Sequence, residues 1–253
     1  MNICDKVVIV TGASSGIGQS TACAFAKEKA TIVIAFKKNL QGAQKTLKDI
    51  TEYGGTAIVF QGDLSDENVV NQLFEKTLAT FNRVDILINN AGDPGGIGFL
   101  DTDKNHWLRV FNNNFFQVVL CSKEAVKIMK KQGSGKIINT SSILGQDYVG
   151  REGAIAYSSA KAAVISFTKT LAKQLAPEIL VNAVIPGRTL TPYYDQYDEK
   201  QKKAFIEANP IKRMIKSEEI ADTFVFIAKN DAMTGSTVLV DGGYSLKMGA
   251  KFS

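Results

Sequence analysis

The sequence is poor in the residues that build metal centres and redox staples. Its 253 residues include one histidine, His106, and three cysteines, Cys4, Cys23 and Cys121, spread far apart. No Cys-x-x-Cys pair and no Cys/His metal spacing occurs, so no metal site is expected. An odd number of separated thiols suits a reducing compartment, and a cytoplasmic location is expected. No stretch approaches the ~20 apolar residues of a membrane span. The opening MNICDKVVIVTG holds an apolar run too short for the core of a signal peptide. Arginine is scarce as well: of 30 basic residues 5 are arginines, within a net charge of +5. The lysines are scattered, with no basic stretch interleaved with aromatics, so nucleic acid is not an expected partner.

What the chain does have is apolar material in short runs. It is 45% hydrophobic and 22% charged, enough for a full core in one large α/β domain or two small ones. The runs cover residues 6–10, 31–36, 57–61, 84–88, 136–140, 180–185 and 237–240. Most are continuous and rich in Val and Ile, as strands buried on both faces should be. Helical patterns lie between them, over 66–81, 103–129 and 158–176 among others. Ser65 or Asp66 suits the cap of the first. Strand alternating with helix predicts a doubly wound parallel sheet of about seven strands, covered on both faces, in three α/β/α layers. Without repeats, low-complexity tracts or a linker, one domain over 1–253 is the simplest organisation. Residues 186–216 form its one long excursion without strand.

Four motifs follow predicted strands. VTGASSGIG carries Gly12, Gly16 and Gly18 between the first strand and a helix. Glycines there let a turn close tightly and let backbone N–H groups approach a pyrophosphate. A plain strand-to-helix turn needs only one. ILINNAG (86–92) ends the fourth strand in small residues, as a simple Asn-Ala-Gly turn would also do. IINTSSILG is followed by YSSAK, with Tyr157 and Lys161 four apart and therefore on one helical face. An ammonium near a phenol favours the phenolate and lowers its pKa from ~10, making a proton donor and acceptor. An isolated pair on a solvated face is the bland alternative. NAVIPGRTLT leaves the sixth strand through Pro186-Gly187. Each motif alone has a plain structural reading. All four, however, fall at the carboxyl ends of strands, the edge where open parallel sheets bind ligands.

Together these motifs resemble the short-chain dehydrogenase/reductase family, over nearly the whole chain. The resemblance implies a Rossmann-type fold, NAD(P)(H) as cofactor and interconversion of carbonyls with secondary alcohols. It implies that Gly12, Ser14 and Ile17, with the neighbouring backbone of Ser15, Gly16 and Gly18, hold the pyrophosphate and ribose. Asp63, beside Leu64, matches the acid that contacts the adenine amino group. Asn90, Ala91 and Gly92 match the segment at the adenine ribose. Asn114 matches the family's active-site Asn, which orders a water and a backbone kink. Ser142 matches the hydroxyl that orients the substrate oxygen; it is chosen over Ser141 because Ser142 to Gly145 fits Ser-x-x-Gly. Tyr157 is then the acid/base, and Lys161 binds the nicotinamide ribose and tunes it. Pro186, Gly187, Thr189 and Thr191 fit the segment that clasps the nicotinamide end.

Cofactor choice is read at the end of the second strand. An acid ~20 residues beyond the glycines selects NAD by binding the ribose 2′-hydroxyl. Here that position is Phe36, followed by Lys37 and Lys38. With no acid to repel a 2′-phosphate and two ammonium groups to meet it, NADP(H) is the expected preference, with NAD(H) possible.

The family pattern is broken in places. Lys29 and Asn82 stand where glycines usually end helices, and the Lys29 end is expected to differ because a left-handed lysine costs ~1 kcal/mol. The chain is also shortened before its sixth and last strands. A lid insertion around 190–212 is expected to roof the substrate pocket over 192–210, with walls near 93–98 and 146–155. Tyr193, Tyr194 and Tyr197 either line that pocket or pack the lid. Arg151 and Arg188 suit a polar or anionic group or stand as rim charges. The resemblance implies a homo-oligomer, a tetramer, and a small-molecule carbonyl or alcohol substrate. The alternatives are a 3-oxoacyl-[acyl-carrier-protein] reductase, with Lys130 and Lys131 for docking but Glu178 where a basic residue is common, and a non-catalytic dinucleotide-binding regulator.

Overall fold

The computed structural model describes residues 1–248. Its strands are β1 (Val7–Thr11), β2 (Thr31–Phe36), β3 (Thr56–Gln61), β4 (Ile86–Asn89), β5 (Gly135–Thr140), β6 (Ile179–Pro186), β7 (Thr189–Leu190), β8 (Ile215–Lys216) and β9 (Thr237–Val240). Its α-helices are α1 (Gly16–Lys27), α2 (Leu40–Glu52), α3 (Glu67–Phe81), α4 (Lys104–Phe111), α5 (Gln117–Gln132), α6 (Ile155–Leu175), α7 (Glu199–Ala208) and α8 (Ser217–Lys229). Seven strands make one sheet in the order β3-β2-β1-β4-β5-β6-β9. Every pairing in it is parallel.

The continuous apolar runs become strands because both faces of the sheet are covered. All five residues of β1 are buried. Val8 and Val10 point to one face, where they meet Phe25 of α1, Ile50 of α2 and Phe224 of α8. Val7 and Ile9 point to the other, into a cluster with Leu73 of α3, Cys121 of α5 and Leu175 of α6. Phe25 and Phe224 are fully buried, so truncating either to alanine should cost ~3–5 kcal/mol. No helix among the described residues is long and apolar enough to cross a membrane. The strand order reverses between β1 and β4, and this switch point is where a ligand crevice opens in doubly wound sheets.

Several local expectations meet a definite outcome. Asp66, not Ser65, caps α3, accepting from the Asn68 N–H at 2.8 Å. Lys29 does take a left-handed conformation, φ +63. Its expected departure at the end of α1 is therefore corrected: the turn closes with Lys29 N–H on Ala26 at 2.9 Å and Ala30 N–H on Phe25 at 3.1 Å. Asn82 ends α3 left-handed in the same way, at φ +57. The excursion over 186–216 is not free of strand. β7 and β8 pair in parallel as a separate ribbon, and two residues are too few to show any alternation in sequence. Between them lie the 3₁₀ turn Pro192–Gln196 and α7, over the stretch where the lid is expected.

Candidate active site

The glycine loop sits where β1 runs into α1. Gly12 is left-handed, φ +67, and a Cβ there would lie 2.8 Å from the Ala91 Cα, so the loop passes the end of β4 at a distance only glycine allows. Gly18, inside the first turn of α1, packs against the Gly12 carbonyl and Asn90. It therefore sits behind the cleft and brings loop and helix together. The N–H groups of that first turn have no helical partners, which makes the end a ready anion site.

Side chains that the sequence reading did not single out fix this loop. Thr11 Oγ1 accepts from the N–H groups of Asn90 (2.9 Å) and Ala91 (3.0 Å). Thr46 donates to the Ala13 carbonyl at 2.9 Å. Asn39 caps α2 through the Gly42 N–H at 2.9 Å and reaches the Ser14 carbonyl at 3.4 Å. Gln117 donates to the Ala91 carbonyl at 3.0 Å. Of these only Asn39, a cap residue ahead of a helical pattern, left a readable signal.

A cleft of about 530 Å³ runs along this edge. Gly12, Ser14, Ser15, Gly16, Ile17, Phe36, Lys37, Lys38, Asp63, Leu64, Asn90, Ala91, Gly92 and Thr191 all line it. Phe36 does so by its backbone, because its side chain is buried in the core. Lys37 pairs with Asp63 at 2.6 Å. Burial alone would push the Asp63 carboxyl up, but Lys37 and the hydroxyl and N–H of Ser65 bring it below the ordinary carboxylate value. Lys38 is exposed and, among the described residues, has no carboxylate partner.

The cleft opens into a second cavity of about 270 Å³, with Ile17, Asn90, Gly92 and Thr191 lining both. Ser142, Tyr157, Lys161, Pro186, Gly187 and Thr189 line this cavity. Ser142 caps a short 3₁₀ turn, its Oγ accepting from the Leu144 N–H at 3.2 Å. Its own O–H remains a donor and bears on Tyr157. Ser141, by contrast, donates to the Lys161 carbonyl at 2.8 Å. Gly145 closes the turn against α6, where a Cβ would lie 2.6 Å from the Lys161 carbonyl carbon. The Ser-x-x-Gly spacing thus has a steric cause.

Lys161 is buried, with Nζ donating to the Thr140 carbonyl at 2.8 Å and lying 5.7 Å from the Tyr157 ring centroid. Burial brings its pKa down from 10.5 to about 8. Tyr157 departs from the sequence expectation. Its pKa is raised, by burial first, against the opposing pull of the Ser142 hydroxyl and the Arg151 charge. The physical reason is that the Lys161 ammonium is turned onto Thr140, so desolvation of the phenol decides the direction.

Asn114 does not line either cavity; it lies fully buried in a π-helical turn, Asn112–Phe116, between α4 and α5. Its Nδ2 donates to the carbonyls of Asp93 (2.7 Å) and Val110 (2.9 Å), and its Oδ1 accepts from the Asp93 N–H (3.1 Å). It is the kink and its clamp, joining that helix to the segment after β4. Tyr193 and Tyr194 line the second cavity, and Tyr194 and Tyr197 both pack edge-on to Phe205 of α7. Arg151, Arg188 and Tyr244 complete the wall.

This geometry can be set beside known proteins. Residues 6–202 match the short chain dehydrogenase family. The chain is 39% identical over 242 residues to a 3-oxoacyl-[acyl-carrier-protein] reductase of Synechocystis sp., covering 94% of this chain and 96% of that protein. It is 36% identical to a cis-4-hydroxycyclohexanecarboxylate dehydrogenase of Sinomonas cyclohexanicum, covering 95% and 97%. Among solved structures, an actinorhodin polyketide ketoreductase variant with NADPH superposes with a TM-score of 0.89 at 30% identity, over 95% of this chain and 97% of that one.

Proposed function

The chain belongs to the short-chain dehydrogenase family, and from that premise we propose an active site in which Tyr157 is the acid/base, Ser142 orients the substrate oxygen, Lys161 holds the nicotinamide ribose and Asn114 positions the wall. The protein is an oxidoreductase that interconverts a carbonyl and an alcohol with NAD(P)(H). The observation that carries the assignment of roles is the meeting of Ser142, Tyr157 and Lys161 in one cavity that opens into the glycine-loop cleft. The cleft fits a dinucleotide: Gly12 lets the loop lie close against the end of β4, Gly18 lets α1 pack onto that loop, and the helix N-terminus faces the cleft.

When bound, the reduced nicotinamide supplies a hydride to the carbonyl carbon. Tyr157 holds its proton through neutral pH, as an ordinary phenol does and as burial reinforces, and gives that proton to the carbonyl oxygen. The O–H of Ser142 donates to the same oxygen as charge develops, a contribution of ~3 kcal/mol in comparable sites. Lys161 carries a positive charge below about pH 8, at the junction of cleft and cavity. In the oxidative direction Tyr157 accepts the alcohol proton.

The preferred cofactor is NADP(H), with NAD(H) accepted. Its support is the missing acid at Phe36 and the pair Lys37-Lys38. Lys37 already gives part of its charge to Asp63, so Lys38 is the stronger phosphate partner. The substrate is a small molecule, and the chain acts as one domain over 1–253 with the lid at 190–212; of that range, 249–253 lie outside the described residues. Three free thiols support a cytoplasmic setting. Exposed large apolar residues, among them Phe99, Leu100, Phe116, Phe226, Leu239 and Leu246, support a homo-oligomer, a homotetramer. A second reading, 3-oxoacyl-[acyl-carrier-protein] reductase, is favoured by the 39% identity to such an enzyme. Cofactor oxidation with a panel of small ketones and acyl thioesters tests these readings. Tight NADPH binding with no oxidation by any of them would instead mark a non-catalytic dinucleotide-binding protein.

A further inference from the structure

Three of the five arginines are neutralised by carboxylates. Arg83 forks onto Asp85 at 2.6 and 2.7 Å, Arg109 meets Asp93 at 2.8 Å, and Arg213 forks onto Glu219 at 2.6 and 2.7 Å. Arg151 and Arg188 have no carboxylate partner among the described residues. Both unneutralised arginines line the cavity of Ser142 and Tyr157. Among the described residues, the one carboxylate lining that cavity, Asp93, is held by Arg109.

Arg188 is not a loose rim charge. It follows β6 directly, and its carbonyl accepts from the Ile215 N–H at 3.0 Å, tying it to β8. Its guanidinium lies 4.6 Å from the Phe205 ring and 5.0 Å from the Tyr244 ring. One Nη2 N–H reaches the Tyr244 hydroxyl at 3.4 Å. Aromatic faces hold a guanidinium in place without cancelling its charge. Arg151 comes from the wall that precedes α6, and its charge is felt at Tyr157, Tyr193 and Tyr194. A half-buried, pre-oriented cation with spare N–H donors is matched by an oxyanion, and bidentate pairing to a carboxylate is the geometry arginine serves best.

We infer that the substrate is a small oxo acid, or the matching hydroxy acid, whose carbonyl or hydroxyl meets Ser142 and Tyr157 while its carboxylate is held by Arg188, with Arg151 supplying a second positive charge. This rests on the active-site reading above and names the substrate class for it.

The test compares levulinate and acetoacetate with their primary amides, levulinamide and acetoacetamide, by kcat/KM for NADPH oxidation. The acid of each pair should be favoured on the order of tenfold to a hundredfold, as for hydrogen bonds to a charged group. Arg188→Gln should reduce that ratio about tenfold, and Arg188→Lys should keep part of it, since charge remains but the fork is lost. Reading the ratio within each variant cancels any general loss from disturbed packing against Phe205 and Tyr244. Where turnover is slow, calorimetric titration of the same acids and amides into NADP⁺-loaded protein gives the ratio as binding. A ratio near one in the wild type, or one unchanged in both Arg188→Gln and Arg151→Gln, overturns the inference. So does a preference for acetoacetyl-CoA over acetoacetyl-pantetheine with acids no better than amides, which would assign the arginines to a carrier phosphate. Tyr157→Phe separates the two levels: if it abolishes reduction while the ratio is near one, only the substrate class falls; if it turns over at the wild-type rate, the active-site reading falls with it.

Discussion

The cleft beside β1 is lined by the glycine loop, the ends of strands and the pair Lys37-Lys38, and the cavity beside β5 by Ser142, Tyr157, Lys161 and two arginines. In the cleft, glycines and strand ends approach one another, and side chains such as Thr11 and Thr46 serve mainly to fix the loop. In the cavity, Ser142, Tyr157, Lys161, Arg188 and two lid tyrosines present functional groups. Backbone sites suit a ligand that is the same in every turnover, since they read shape and phosphate. Side-chain sites suit a ligand that differs between relatives. The two regions share Gly92, whose added Cβ would lie 2.8 Å from Asn114 Oδ1 and 3.5 Å from Lys161 Nζ.

Lys161, at that junction, should give the largest effect that crosses the division. Lys161→Ala removes a buried ammonium and leaves the Thr140 carbonyl without its partner. Turnover should fall at least on the order of a hundredfold, and NADPH affinity should weaken as well. Steady-state kinetics with calorimetric titration of NADPH checks both, and an unchanged affinity would put Lys161 in the cavity alone.

Gly12→Ala should damage the cleft and spare the chemistry. The new Cβ meets the Ala91 Cα, and the left-handed backbone is strained for alanine. Stability should drop by ~1–2 kcal/mol, seen as a lower Tm. NADPH affinity should fall on the order of tenfold, while kcat at saturating NADPH is nearly retained. A large fall in kcat with affinity intact would break the distinction between the two regions.

A pH profile sharpens the cavity's side. Lys161 is protonated below about 8 and neutral above it. Tyr157, shifted the other way, still holds its proton there. Carbonyl reduction should therefore decline as pH rises through about 8, set by Lys161, and the residual activity of Lys161→Ala should lack this limb. The same decline in Lys161→Ala would assign it elsewhere.

The smallest effects belong to the two lysines of the cleft. Lys38→Ala should lower the NADPH-over-NADH preference about three- to tenfold, and Lys37→Ala less, because Lys37 is half committed to Asp63. Both preferences should shrink with added salt. Equal use of the two cofactors by the wild type, or no response to either substitution, would return the lysines to an ordinary solvated turn.

The same division governs what could be read from the sequence. Strands buried on both faces leave continuous Val/Ile runs, so the sheet and its helices were legible, and Gly12, Gly18 and Gly145 were visible because a close approach admits no other residue. Tyr157 and Lys161 were visible through their spacing on one helical turn. What the sequence hid depends on tertiary placement. The β7–β8 ribbon is too short to carry a pattern. Asn114 owes its clamp to a π turn that no periodicity announces. Tyr244 reaches the cavity from near the end of the described chain. The Tyr157 pKa direction could not be read at all, because it depends on where the Lys161 ammonium is turned. Lys29 kept a turn that its type disfavours, since the contacts closing α1 outweigh ~1 kcal/mol of local cost.

The central claim is that Tyr157 does chemistry in a cavity whose neighbouring cleft binds the cofactor without its help. One protein sample tests it: Tyr157→Phe, measured both for NADPH dissociation by calorimetry and for single-turnover reduction of a ketone that the wild type accepts. The account predicts a Kd within about threefold of wild type and a rate lower by on the order of 10²–10⁴. Reduction at close to the wild-type rate, or NADPH binding lost together with turnover, would contradict it.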